Sequence, residues 1–292
     1  MRISRLAALA AAATLALSVA ACGGDEGGGG AGNTKKDFPA GSTMAKLNEA
    51  GKIRIGTKFD QPGFGLKGLD GKPAGFDVEI GKIIASELGI SEDNIEWVET
   101  PSAVREEYLE QDKVDIVVAT YTINDKRKER VDFAGPYYIA GQHIMVKADD
   151  NSITGPDSFK AGDKKVCSVQ GSTPAANIEK YLANKAEQLV LFDVYQKCVD
   201  ALDQGQVDAV TTDNVILMGF IANGDGKYKL AGEKFTEEPY GIGVKKGDDQ
   251  FRNWINDVLE KIYADGRYAK AWQETAGKFD PEVPEGPTPD RY

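Results

Sequence analysis

Val114-Asp-Ile-Val-Val-Ala-Thr-Tyr-Thr-Ile-Asn-Asp-Lys-Arg127 is the stretch whose reading decides the fold class. Its first six residues are β-branched and nearly all apolar, the composition of a strand covered on both faces, as in a parallel α/β sheet. Thr120, Thr122 and Arg127 then emerge at the strand's carboxyl end, where open α/β sheets bind their ligands. An arginine fork in that place matches a carboxylate through two parallel charge-assisted hydrogen bonds. The alternative is a solvated charged turn with Arg127 on the surface.

The same unit occurs twice. Leu109-Glu-Gln-Asp-Lys-Val-Asp-Ile-Val117 and Leu202-Asp-Gln-Gly-Gln-Val-Asp-Ala-Val210 align at a constant offset of 93 residues. Carried outward, the offset pairs Thr120 with Asp213, Ser102 with Tyr195, and the strand-like Ile95 to Val98 with Gln188 to Leu191. Strands are expected at Lys52 to Gly56 and Lys165 to Val169, followed by helices at Asp77 to Leu88 and Pro174 to Leu182. Ile80, Ile83, Ile84 and Leu88 make the core stripe of the first helix, with Asp77 available as its N-cap. Ser102 also stands where an N-cap belongs, and its hydroxyl has that alternative use. Pro174 fits a first helical position, with Ser172 or Thr173 left to cap. Two βαβ lobes with corresponding strand ends set Thr120 and Asp213 facing each other across a cleft. One lobe supplies cations and hydroxyls and the other an anion, a set complementary to an α-amino acid. Chance similarity between two helix-turn-strand units is the competing explanation.

The ends of the chain carry further information. Met1 to Ala21 has Arg2 and Arg5, a Leu/Ala stretch and then small residues, the layout of a secretory signal too short to span a bilayer. Leu17-Ser-Val-Ala-Ala-Cys22 resembles a bacterial lipobox, in which the cysteine becomes the acylated first residue, and Gly23 to Gly32 reads as a tether. The net charge of −11 argues against nucleic acid as a partner. With Cys22 given to lipid, Cys167 and Cys198 remain as a pair able to bridge in an exported protein, against the alternative of two buried thiols. His143 is the only histidine, which argues against a metal site; no cofactor is expected.

Gly75-Phe-Asp77, Thr120 to Arg127, Val131-Asp-Phe-Ala-Gly-Pro-Tyr137, Asp208-Ala-Val-Thr-Thr-Asp213 and Tyr240-Gly-Ile-Gly-Val-Lys-Lys-Gly247 together resemble the substrate-binding proteins of bacterial ABC transporters, in the polar-amino-acid family. The resemblance runs from about Gly51 to Phe279. It implies a periplasmic-binding-protein-like α/β fold, two lobes joined by two hinge strands with the ligand cleft between them. The expected division is a signal peptide at 1–21, lipidated Cys22 and tether at 22–42, lobe one at 43–141 and 236–280, lobe two at 142–235, and a Pro-rich, extended tail at 281–292.

By the same resemblance, Arg127 matches the family's α-carboxylate arginine and Thr122 a hydroxyl and amide donor. Thr120 matches an acceptor near the ammonium, and Asp213 the ammonium's counter-charge. Thr173 matches a donor from lobe two, with Gln170 beside it. Lys58 and the Ser102-x-x-Arg105 pattern resemble the hydroxyl and cationic pair that hold a distal carboxylate in glutamate- and aspartate-binding relatives; Tyr195 adds a phenol. Phe59 and Phe64 are candidates either for ligand packing or for core. Val166-Cys-Ser-Val-Gln-Gly-Ser-Thr173 with Cys198 resembles glutamate-binding lipoproteins of actinobacteria, which also supports the bridge. The implied partners are a small amino acid, a membrane permease and a lipid anchor on the outer face of the cell membrane, for a monomer that is not an enzyme. Two alternatives stand beside this: an amino-acid sensor for a membrane kinase, and a cyclohexadienyl-dehydratase-like enzyme, for which His143 is the one histidine available.

Overall fold

Helix α1 (Thr43–Ala50) starts where the Ser42 hydroxyl accepts a hydrogen bond from Ala45 N, and stops at Gly51 with φ 63°. The structure, a computed structural model, describes residues 32–292; the expected signal peptide, Cys22 and most of the spacer lie outside the described residues. From α1 the chain enters β1 (Ile53–Thr57), a small antiparallel sheet of β2 (Asp60–Gln61), β3 (Gly65–Lys67) and β4 (Pro73–Ala74), and then α2 (Phe76–Glu87). β5 (Ile95–Glu99), α3 (Arg105–Glu110), β6 (Ile116–Val117), α4 (Asp125–Lys128) and β7 (Val131–Ala140) follow. Next come β8 (Gln142–Lys147), β9 (Val166–Val169), α5 (Thr173–Ile178), α6 (Lys185–Gln188), β10 (Leu189–Phe192) and α7 (Tyr195–Asp203). β11 (Ala209–Asp213), α8 (Asn214–Asn223), β12 (Tyr228–Leu230), β13 (Glu238–Lys245), α9 (Asp249–Asp265) and α10 (Arg267–Glu274) complete the chain.

These strands build two five-stranded sheets, ordered β5-β1-β6-β13-β7 and β10-β9-β11-β8-β12. In the first, β1 is parallel to β5 and β6, and β13 is antiparallel to β6 and β7. In the second, β9 is parallel to β10 and β11, and β8 is antiparallel to β11 and β12. β6 and β11 therefore hold equivalent places, and the offset of 93 carries Ile116 onto Ala209, the first residue of each strand. The Val-Asp repeat is one structural unit used twice. Each sheet, with its helices, forms one α/β lobe.

The chain passes between the sheets twice. β7 runs into β8 through Gly141, and residues 231–237 join β12 to β13. Phe235 N donates to Gln142 O at 3.0 Å and Gln142 N to Thr236 Oγ1 at 3.0 Å, which lays the two passages side by side. A Cβ on Gly141 would come within 2.7 Å of Thr236 O, so only glycine allows this approach.

The core of lobe one is aromatic. Phe64 packs edge-on against Phe76, Tyr138, Tyr240 and Trp272, which makes it core. In lobe two, Cys167 on β9 and Cys198 on α7 form a disulfide. The tail beyond Pro281 is irregular, and its last residues lie against β7, an edge strand: Phe133 N donates to Tyr292 Oη at 3.0 Å and Asp290 N to Gly135 O at 2.7 Å. The Tyr292 ring lies between Lys128 Nζ at 3.9 Å and the Arg252 guanidinium at 4.1 Å. At the other end, Thr34 N donates to Gly89 O and Asn33 Nδ2 to Gly51 O.

Three local expectations need correcting. Asp77 is not an N-cap: Gly75 precedes α2, no side chain caps it, and Asp77 is fully buried with its carboxylate turned to partners far along the chain. Ser102 caps nothing either, since Pro101 precedes its short 3-10 turn and the Ser102 hydroxyl faces Lys58. α5 begins at Thr173, so Pro174 is its second residue; Ser172 is the cap, accepting from Ala175 N at 3.1 Å.

Candidate functional site

The parallel strands of both sheets end at one place. Lys58 follows β1, Thr120 to Thr122 follow β6, and Asp213 ends β11. α4 brings in Arg127 because Asn124 caps that single turn, accepting from Arg127 N at 2.9 Å. The Arg127 guanidinium then crosses to the other lobe. It donates to Thr122 O at 2.6 Å and to Thr173 Oγ1 and Gly171 O at 3.1 Å each, and lies 3.2 Å from Glu106. Burial, with the like charge of Arg105, lowers its pKa to about 10.

Lys58, only 4 % exposed, donates to Ser102 Oγ at 2.8 Å. Its pKa falls well below the ordinary lysine value, first because it is buried and then because Arg105 is near. Arg105 donates through Nη1 to Ala119 O at 2.9 Å and stacks on the Tyr121 ring at 4.1 Å, while its buried Nε has no partner. Three cations therefore converge on one buried region, an arrangement stable only with anionic compensation.

Compensation comes partly from carboxylates. Asp213, 3 % exposed, accepts from Tyr240 Oη at 2.6 Å through Oδ2, and its Oδ1 has no partner. Burial, reinforced by Glu238, pushes its pKa up to about 7. Glu238 is raised by burial too, and it also carries an unpartnered oxygen. Asp77 accepts from Thr120 N at 2.7 Å and Tyr137 Oη at 2.6 Å, and burial raises it to about 7. Thr120 stands at φ 43°, an uncommon conformation for a residue with a Cβ, and its hydroxyl lies 3.0 Å from Gln61 Oε1 and 2.8 Å from Ala119 O.

Of the residues expected from sequence, Lys58, Ser102, Arg105, Thr120, Thr122, Arg127, Thr173 and Asp213 lie in this convergence. A cavity of about 380 Å³ opens at its mouth, lined by Ser102, Glu106, Arg127, Gly171 and Thr173 among others; Lys58, Thr120 and Asp213 do not line it. Tyr195 is buried among Ser168, Ser172 and Thr212, and its phenol is pushed up to about 12 by burial and Asp213. Gln170 is exposed. Phe59 sits under Lys67 Nζ at 4.9 Å, beside an outer groove. His143 lies in β8 and contacts Gly232 O at 2.9 Å. Sequence reasoning missed Gln61, Glu106 and Glu238 entirely. It had Tyr240 within a quoted motif without a role, and it gave Asp77 the wrong one, an N-cap.

The sequence profile of the bacterial extracellular solute-binding proteins, family 3, matches residues 53–277, the span that builds both lobes. The chain belongs to that family. Glutamate-binding protein GluB of Corynebacterium efficiens is 40 % identical over 97 % of this chain and 94 % of its own length. The ABC transporter glutamine-binding protein GlnH of Bacillus subtilis is 39 % identical over 88 % of this chain and 91 % of its own. A solved ancestral arginine-binding protein bound to glutamine superposes with a TM-score of 0.72 at 36 % identity, covering 80 % of this chain and 99 % of that one. These relatives are binding proteins, and the chain is a solute-binding protein rather than an enzyme. No helix among the described residues is long and apolar enough to cross a membrane.

Proposed function

We propose that this protein captures glutamate, or a closely related acidic or polar amino acid, and delivers it to an ABC importer while held by a lipid on Cys22 at the outer face of the cell membrane. The observation that carries the reading is the pairing, in one buried region, of three cations with a carboxylate whose Oδ1 is unpartnered. Arg127 would take the α-carboxylate and Asp213 the ammonium, with Thr120, Thr122 and Thr173 completing those ends. Lys58, Ser102 and Arg105 would hold the distal carboxylate. A neutral ligand would leave Lys58 desolvated beside two arginines, whereas a second carboxylate neutralises it. Arg105 has a second task, because its bonds to Ala119 O and Thr120 O also fix the strand end. The lobes, 43–141 with 236–280 and 142–235, would open about the two passages at Gly141 and residues 231–237.

Isothermal titration calorimetry with the common amino acids tests this. Lys58→Asp with Arg105→Ala should abolish glutamate binding, because truncating one member of a buried charge pair costs about 2 to 5 kcal/mol and micromolar affinity is only about 8 kcal/mol in total. Unchanged glutamate affinity in that double variant refutes the assignment.

A further inference from the structure

The segment between β1 and β3 belongs to lobe one, yet one of its residues caps a helix of lobe two and another packs against a second. α7 lacks a cap of its own, since its N-cap residue is Val194, whose side chain accepts nothing. The missing acceptor is Asp60: its Oδ2 takes hydrogen bonds from Tyr195 N at 2.7 Å and Gln196 N at 3.4 Å. Two positions on, the Pro62 carbonyl lies against α8. A Cβ built on Gly219, in the middle of α8, would fall 2.4 Å from Pro62 O and 3.1 Å from Pro62 Cβ. Glycine is a poor helix residue, and its place here is explained by this close approach. The two contacts flank Gln61, whose Oε1 accepts from Thr120 Oγ1.

Neither contact uses an atom assigned to the amino acid. Both join one lobe to the other, and both must break when the lobes separate. We propose that Asp60 and Pro62 form a ligand-independent latch, which sets how much of the empty protein is closed and thereby scales affinity. The proposal rests on the reading that capture occurs by closure of the two lobes. Apparent affinity falls in proportion to the closed fraction, so loss of a cap of ordinary strength should weaken binding by up to about fivefold.

The test compares the purified parent protein with Asp60→Ala, Asp60→Asn and Gly219→Ala. Small-angle X-ray scattering without ligand reads the separation of the lobes, and calorimetry with glutamate reads affinity. Asp60→Ala and Gly219→Ala are expected to enlarge the radius of gyration of the empty protein and to weaken glutamate binding by up to about fivefold. Asp60→Asn, which caps as well as aspartate, should restore both, an outcome that general destabilisation would not give. Identical scattering from parent, Asp60→Ala and Gly219→Ala overturns the latch, whatever the ligand. Altered scattering with no glutamate binding in any of the proteins, the parent included, upholds the latch and counts against glutamate as the ligand.

Discussion

Asp213 should make ligand capture depend on pH, and the size of the effect follows from its surroundings. With the lobes in contact, its pKa is pushed up to about 7 by burial, with Glu238 adding to the shift. Burial between the lobes therefore favours the neutral carboxyl. Its contribution to stability is complete below the ordinary carboxylate range and is lost as pH rises through about 7. An amino acid reverses this preference, because its ammonium needs the ionised oxygen. Below about pH 7 binding must first expel a proton, and each pH unit then costs about 1.4 kcal/mol. From about pH 7 to about pH 5 the affinity should fall by up to roughly 100-fold. Lys58 titrates in the opposite sense, its lowered pKa rising when a carboxylate arrives. The measurement therefore includes Lys58→Arg, whose guanidinium keeps its proton throughout. Calorimetry in two buffers of different ionisation enthalpy counts the protons released at about pH 6. If Lys58→Arg releases none, and its affinity is the same at about pH 5 and about pH 8, the proton-coupled role of Asp213 is refuted.

Two further outcomes are expected. Replacing Cys167 and Cys198 by alanine opens a loop of sequence separation 31 and should cost about 3 to 4 kcal/mol in urea unfolding, on the chain-entropy account; an unchanged midpoint and slope would show that the bridge contributes nothing. Gly171→Ala should weaken ligand binding at least tenfold, since its Cβ would lie 2.7 Å from Ala103 Cα in the facing lobe and its φ is 75°; wild-type affinity by thermal shift would show that the lobes do not approach there.

What the sequence disclosed was repetitive or local. The 93-residue offset survives as strands at matched places in two sheets, because βαβ units place equivalent residues at equivalent strand ends. Ser172 was one of two caps the sequence offered, and its partner is only three residues away. Asp77 misled for the complementary reason: aspartate at the front of an apolar helix is the ordinary sign of a cap, whereas its partners Thr120 and Tyr137 stand 43 and 60 positions away. No periodicity encodes such pairs. Glu238 and Gln61 were invisible for the same cause, as ordinary polar residues whose burial appears only when the chain returns upon itself.

The placement of Asp290 and Tyr292 along β7 bears on behaviour in a crowd. A bare outer strand offers a ladder of vacant main-chain groups on which an identical molecule can template itself, the first step toward fibrous aggregates. Here Phe133 N, Gly135 N and Gly135 O are taken by Tyr292, Asn256 and Asp290. Three side-by-side engagements interrupt that ladder at its middle, so copies held at high density have no continuous rail along which to zip together.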